Sequence, residues 1–202
     1  MTKSIDFYFD FISPYSYLAF KKIKILKNKN KNKNKNKNQI NFNFKPILLG
    51  GLHNLGGITA PAFNERKMKN MKNDCELIAK KNLIDFKWND NFPINSLNLM
   101  RGYLYINNKI KDKFCEICFD AYWKENLDIS QDLDLNNILD KCSLDHEDFH
   151  DGIKTEKIKN QLKKLTLDAF NINIFGAPTF VVNKKIFWGQ DRLDYALDEY
   201  NS

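Results

Sequence analysis

The chain has 202 residues, enough for one domain or one domain carrying an insertion, and 13% aromatic residues, with 16 phenylalanines, exclude disorder throughout. Its formal charge is +7, but removing the six lysines of the run at 27–38 leaves +1, so the basicity belongs to one segment and excludes a basic nucleic-acid-binding face. No apolar run reaches transmembrane length, and Met1 stands about four residues before the first strand, leaving no room for a leader.

Residues 5–12, IDFYFDFI, alternate Ile5, Phe7, Phe9 and Phe11 with Asp6, Tyr8 and Asp10. This is a first strand with an apolar face and an opposite polar one. At Ser13 the pattern changes to SPYSYLAFKKIKIL, in which Leu18, Ala19 and Ile23 follow helical spacing. Ser13 as N-cap and Pro14 as first helical residue start that helix. The run KNKNKNKNKNKN at 27–38 has no apolar residue and repels itself, which predicts a solvated loop. INFNFKPI then sets Ile40, Phe42 and Phe44 against Asn41, Asn43 and Lys45 as a second strand.

Residues 61–150 are mostly helical in pattern, with a break at NDNFPIN (89–95), where Pro93 forbids a helix interior. Phe114, Ile117, Cys118, Ala121 and Tyr122 form one helical stripe, and Ile158, Leu162, Leu165 and Ala169 form another. GAPTFVVNKKIFWGQDRLDYALDEY reads as turn, strand, turn, strand, glycine and a final helix capped by Asp191. The order predicts an α/β chain of thioredoxin-like fold. Residues 1–60 and 151–202 form that domain, and 61–150 are a helical insertion between its β-α-β and β-β-α halves.

Four segments carry a resemblance: DFYFDFISPYSYLA, KPILLGGL, AYWKENLDIS and GAPTFVVNKKIFWGQDRL. Together they resemble 2-hydroxychromene-2-carboxylate isomerases and kappa-class glutathione transferases, DsbA-like members of the thioredoxin superfamily. The resemblance covers residues 5–200 apart from the lysine-asparagine run. It implies glutathione as co-substrate, a small aromatic or electrophilic second substrate, and a homodimer. A cytoplasmic protein with no nucleic-acid or membrane partner is expected, and Cys75, Cys115, Cys118 and Cys142 suit a reduced compartment.

Ser13 ends a strand and begins a helix, where free N–H groups and the helix dipole favour an anion. By resemblance, its hydroxyl contacts the glutathione sulfur and is the catalytic group; as an N-cap alone it needs no ligand. A hydroxyl can accept an N–H and donate its one proton elsewhere, so the two roles are compatible. Ser16, one turn on, reads as an ordinary helix residue.

The resemblance further implies that Pro178 is cis and that the Ala177 backbone before it pairs with glutathione. It also places Trp188, Gly189, Gln190 and Asp191 at the tripeptide, with Asp191 meeting its ammonium. On the substrate side both families carry a Lys and an Asn in the loop after the second strand, where this chain has Asn54 and Ile58. His53, Asn54, Asn95, Ser96 and Arg101 are the candidate substrate residues, His53 being read as a loop histidine.

Two motifs are set aside. His146–His150 matches HExxH, but no third ligand is suitably placed and no metal is expected. Cys115 and Cys118 form CEIC inside a helix and not after the first strand, which makes them core thiols. Serines at 13 and 16 leave a disulfide oxidoreductase without its cysteines. The expected function is therefore a glutathione-dependent isomerase, with a kappa-like transferase or a non-catalytic glutathione-binding module as alternatives.

Overall fold

The computed structural model describes residues 3–32 and 40–202. A four-stranded sheet runs in the order β2-β1-β3-β4, from β1 (Ile5–Phe9), β2 (Phe42–Pro46), β3 (Thr179–Val182) and β4 (Lys185–Trp188). β1 pairs parallel with β2, Phe7 opposite Phe44, and antiparallel with β3, Phe7 opposite Phe180. β3 and β4 form an antiparallel hairpin. Between β1 and β2 runs α1 (Pro14–Asn32), and α2 (Leu49–Gly56) follows β2. Then come α3 (Glu65–Asn82), α4 (Leu97–Tyr105), α5 (Lys111–Trp123), α6 (Asp132–Cys142) and α7 (His146–Gly152), and α8 (Glu156–Asn171) leads back to β3. The chain closes with α9 (Leu193–Asn201). This mixed sheet and its helices have the thioredoxin-like arrangement expected from the element order.

Phe7, Phe9 and Phe11 are fully buried, and their face of β1 packs on helices of the 61–150 stretch as well as on α1. Phe119 of α5 lies 4.9 Å from Phe11 and 6.0 Å from Phe9 between ring centroids. The indole N–H of Trp123 donates to the Phe11 carbonyl at 2.8 Å. The helical layer is thus joined to the sheet through one continuous core and tied by a buried hydrogen bond to the end of β1.

Two local expectations are corrected. The second face of β1 is not polar: Tyr8 is 9% and Asp10 0% exposed, because α2 and α8 cover that side with Leu52, Ala169 and their neighbours. A central strand has both faces covered, so alternation in its sequence does not mean solvent. The lysine-asparagine segment is not a loop from residue 27, because α1 continues through Asn32. Lysine is a good helix former, and adding residues to an existing helix is far easier than nucleating one. The remainder of that segment, 33–38, lies outside the described residues.

Candidate active site

Ser13 N-caps α1. Its hydroxyl oxygen accepts the Ser16 N–H at 3.1 Å, and its carbonyl accepts from Tyr17 at 3.1 Å. The same hydroxyl donates its one proton to the Ala177 carbonyl at 2.8 Å, and the side chain is only 3% exposed. The capping role is therefore present, and the proton that a sulfur ligand would need is held by Ala177. Ser16 is fully buried, and its hydroxyl oxygen has no hydrogen-bond partner.

Above this turn lies a cavity of about 610 Å³, well within the range of small-molecule sites. Ile12–Tyr15 form its floor and Leu48–Gly51, His53 and Asn54 one wall; Phe92–Ser96 and Gly176–Ala177 close it, and Phe63 and Trp188 stand at the mouth. The walls are predominantly apolar. Phe175 and Trp188, half exposed with rings 4.8 Å apart, offer aromatic faces at the entrance. Gly176 lets that tryptophan lie flat against the backbone, since a Cβ there would stand 2.6 Å from the indole nitrogen.

The structure brings Ser13, Ala177, Trp188, His53, Asn54, Asn95 and Ser96 to this one cavity, together with Ile58. His53 is not in a loop: it sits in the last turn of α2, which closes on Gly57 in the left-handed conformation at φ 62°. Gly50 and Gly51 have low helix propensity, but burial of Leu52 against α8 outweighs it. Burial lowers the His53 pKa, so its neutral imidazole is favoured at neutral pH.

Other candidates are placed elsewhere. Arg101 lies on α4 outside the cavity lining, with its Nε buried and unpartnered. The Ala177–Pro178 peptide is cis; Pro178 is buried behind the wall, and its carbonyl accepts from the Gly189 N–H at 3.0 Å. Gln190 is buried and turned away to accept from Lys22 of α1. Asp191 does not cap the final helix. It sits inside a short 3-10 turn, Gln190–Arg192, whose cap position is Gly189, and pairs in the open with Arg192 at 3.1 Å. An exposed pair of that kind contributes little to stability and leaves the carboxylate reachable.

Lys67, at the start of α3, was not singled out by the sequence. It is the only formally charged side chain among the cavity-lining residues. Its one sequence signal is an unfavourable one, a cation in the first turn of a helix, where the dipole disfavours it. Asp10 was assigned to a solvent face and is instead the buried acid beneath this site. Its carboxylate accepts from Ile12 N–H at 3.1 Å and Leu49 N–H at 2.7 Å, and the Ser96 hydroxyl lies beside it and favours its charged form.

The motifs set aside are accounted for locally. His146 meets Asp140 at 2.8 Å and His150 meets Asn136 at 3.1 Å. Among the described residues no three His, Cys, Asp or Glu side chains are grouped as a metal would require. Cys115 and Cys118 are buried in α5 as free thiols, with pKa values pushed well up by burial. Among the described residues no helix is long and apolar enough to cross a membrane.

The donor set suits glutathione. A hydroxyl and helix N–H groups stand where a sulfur anion would lie, a strand-like backbone at Ala177 can take an extended peptide, and one ammonium can meet a carboxylate. The family model described as a DSBA-like thioredoxin domain matches residues 4–201. Over 202 residues the chain is 28% identical to a 2-hydroxychromene-2-carboxylate isomerase of Sphingobium xenophagum, covering 99% of this chain and 98% of that protein. It is 25% identical to glutathione S-transferase kappa 1 of Homo sapiens, covering 96% and 89%. The solved structure of a selenomethionine 2-hydroxychromene-2-carboxylate isomerase superposes with a TM-score of 0.85 at 22% identity, covering 98% of this chain and 94% of that one.

Proposed function

The chain belongs to the family of DSBA-like thioredoxin domains, and from that premise we propose that it is a glutathione-dependent isomerase of the 2-hydroxychromene-2-carboxylate type. The observation that carries the reading is Ser13: a hydroxyl at a helix N-terminus, on the floor of a cavity, where a redox member of the fold would present a cysteine. The relatives named as such isomerases support the reaction class, and the kappa transferase supports the co-substrate.

Bound glutathione supplies a thiolate that adds reversibly to an unsaturated carbon of an aromatic-derived substrate, allows rotation about the bond made single, and leaves unconsumed. Ser13 serves this chemistry by rotating its proton from the Ala177 carbonyl to the sulfur. A thiol of pKa near 8.5 needs roughly 2 kcal/mol of thiolate-selective stabilisation to be half ionised at pH 7. A charge-assisted hydrogen bond contributes about 1.5–3 kcal/mol, less the ~1 kcal/mol neutral bond given up at Ala177. The N-terminus of α1 supplies the rest, on the order of 0.3–1 kcal/mol. Together the two give roughly 0.8–3 kcal/mol, a range that spans the requirement.

In this reading Ala177 and Asp191 hold the peptide part of glutathione, while Trp188 and the apolar walls take the ring of the substrate. Lys67 faces a carboxylate, and Asn54 and Ile58 stand near the places where, by the resemblance, the related enzymes carry a Lys and an Asn. Release of the adduct before the thiolate leaves would make the same site a transferase, and the Asn54 and Ile58 departure bears on which substrate it takes and not on that choice. The protein is a cytoplasmic homodimer in this account, a state that sedimentation tests directly.

Glutathione titration by calorimetry, followed by turnover of 2-hydroxychromene-2-carboxylate with and without glutathione, tests the proposal. Binding to the folded protein, with turnover that requires glutathione but does not consume it, is the expected result. No heat at millimolar glutathione would overturn it.

A further inference from the structure

Among the described residues Asp10 is the only buried side chain that carries a formal charge, and no cation pairs with it. Its hydrogen bonds come from the N–H groups of Ile12 and Leu49, and the Phe11 N–H and the Ser96 hydroxyl lie beside it and favour its charged form. Its own carbonyl accepts the Ser13 N–H at 3.1 Å. The two elements it reaches across the cavity lack caps of their own. Leu48, at the N-cap position of α2, makes no side-chain cap, and Ser96, at the N-cap of α4, makes none either. The orphan N–H of Leu49 goes to Asp10 instead, and the Ser96 hydroxyl lies beside the same carboxylate without capping α4.

We infer that Asp10 is a positioning residue whose ionised carboxylate holds three walls of the cavity in register around Ser13: the turn into α1, the start of α2 and the Ser96 segment. The substrate meant is that of the function proposed above, and the inference rests on that reading for what the cavity binds. Only a carboxylate fits the role. An asparagine would turn an amide N–H₂ toward one of the two backbone N–H groups, and a protonated acid would accept more weakly from both. Asp10 touches no substrate in this arrangement; it acts through the walls.

Burial raises the Asp10 pKa to about 6, against the opposing pull of the donors around it. The clamp therefore carries its charge at neutral pH and loses it under mild acid. Among the residues that line the cavity above it, the ionisable ones are Tyr15 on α1, His53 on α2 and Lys67 on α3, with none on the Ser96 segment, and on the other face of β1 Tyr8 lies near Asp6 and Asp168 of α8. Of these, His53 is the one whose ordinary pKa of 6.5 overlaps the range, so its contribution must be removed experimentally. Free glutathione does not interfere, since its carboxyl groups titrate below pH 5 and its thiol above pH 7. The bound sulfur, brought towards pH 7 in the proposed function, is kept out of the profile by using S-methylglutathione as the probe.

The test uses ¹⁵N-labelled full-length protein carrying His53→Gln, alone and with Asp10→Asn or Ser96→Ala. Without ligand, the Ile12 and Leu49 amide protons are expected to titrate together near pH 6. Asp10→Asn should abolish that titration, and Ser96→Ala should raise its midpoint by removing a hydroxyl that favours the charged form. S-methylglutathione affinity should follow the same midpoint, weakening about tenfold from pH 7 to pH 5 as the ionised fraction falls. It should lie flat and low in Asp10→Asn. A purely structural acid would shift the melting temperature and leave these profiles alone. Amides that do not titrate together, or an affinity that ignores their midpoint, would overturn the inference. If Asp10→Asn does not fold, the Ser96→Ala midpoint decides: an unmoved midpoint refutes the clamp. If glutathione binds at no pH while the amides titrate as described, the proposed function fails and the clamp stands.

Discussion

Ser13 and Ala177, 164 positions apart in the chain, are joined by a single buried hydrogen bond of 2.8 Å from hydroxyl to carbonyl. It fastens the N-terminus of α1 to the turn before β3, so the two halves of the site cannot separate while it lasts. It also means that any sulfur ligand must compete for that proton. The site is preorganised, and the Ser13 hydroxyl already has a partner to exchange.

Replacing Ser13 by alanine removes a helix cap and leaves the Ser16 N–H and the Ala177 carbonyl short of a partner. A loss of about 2–3 kcal/mol in chemical denaturation is expected, from a cap of ~1 kcal/mol plus the buried bond. Under the proposed function, turnover should fall roughly a hundredfold, about 2.7 kcal/mol of lost transition-state stabilisation, while glutathione still binds. Equal turnover in Ser13→Ala would remove the catalytic role.

Asp10 should make stability depend on pH in a direction opposite to ordinary acid denaturation. Its native pKa, about 6, lies above the 3.8 of an unperturbed aspartate, so between those values the native state binds more protons than the unfolded state. Its contribution is most favourable below pH 4 and is lost as pH rises through 6, by roughly 3 kcal/mol at most. Denaturation of the parent and of Asp10→Asn across pH 4–7 should show their difference changing with that sign. His53 works the other way, because a lowered histidine pKa costs stability as pH falls through 6.5.

Gly102 on α4 has no room for a side chain, since a Cβ would overlap the ring of Phe149 in the core. Gly102→Ala should cost about 1–3 kcal/mol or more through overpacking. Gly50, in α2 with nothing near a Cβ, provides the contrast. Gly50→Ala should stabilise by roughly 0.5–1 kcal/mol through helix propensity alone. Melting curves of the two variants should move in opposite directions.

Lys67→Met should weaken binding of glutathione or of a carboxylate-bearing substrate about tenfold, equivalent to ~1.4 kcal/mol, with little change in kcat. Lys67→Arg should restore most of it. A neutral electrophile tested against the same variants identifies which carboxylate the ammonium meets. An unchanged KM for every ligand would exclude Lys67 from the site.

The four cysteines are buried and free, and burial pushes their thiols up in pKa. A thiol reagent should therefore label native protein slowly and all four residues quickly in denaturant. Rapid labelling of Cys115 or Cys118 in the native state would reopen a redox role for the CEIC segment.

The first strand, the Ser13–Pro14 helix start, the β3-β4 hairpin and the buried CEIC thiols were legible because each depends on contacts near in sequence. Alternation marked β1, the Ser-Pro pair marked the entry to α1, and the helical stripe predicted Cys118 inside. Less was visible where a long-range contact overrides a local signal. His53 reads as a loop residue in the sequence, yet Leu52 packing makes a helix of that segment. Asp191 had the look of an N-cap, yet the left-handed side of φ at Gly189, 112°, starts a 3-10 turn that puts it outside that position.

Asp10 and Lys67 show the boundary most clearly. From the sequence alone follow the α/β order, the placement of Ser13 at a strand-to-helix junction and the absence of cysteine there, because hydrophobic period and capping chemistry act over a few residues. Only the tertiary structure decided that Asp10 lies in the core beneath that junction, that Lys67 reaches the same cavity from α3, and that the Ser13 proton rests on Ala177. Those facts come from packing both faces of β1 and from bringing residues 10, 49, 96 and 177 together. No local periodicity records which distant donor a buried carboxylate will find.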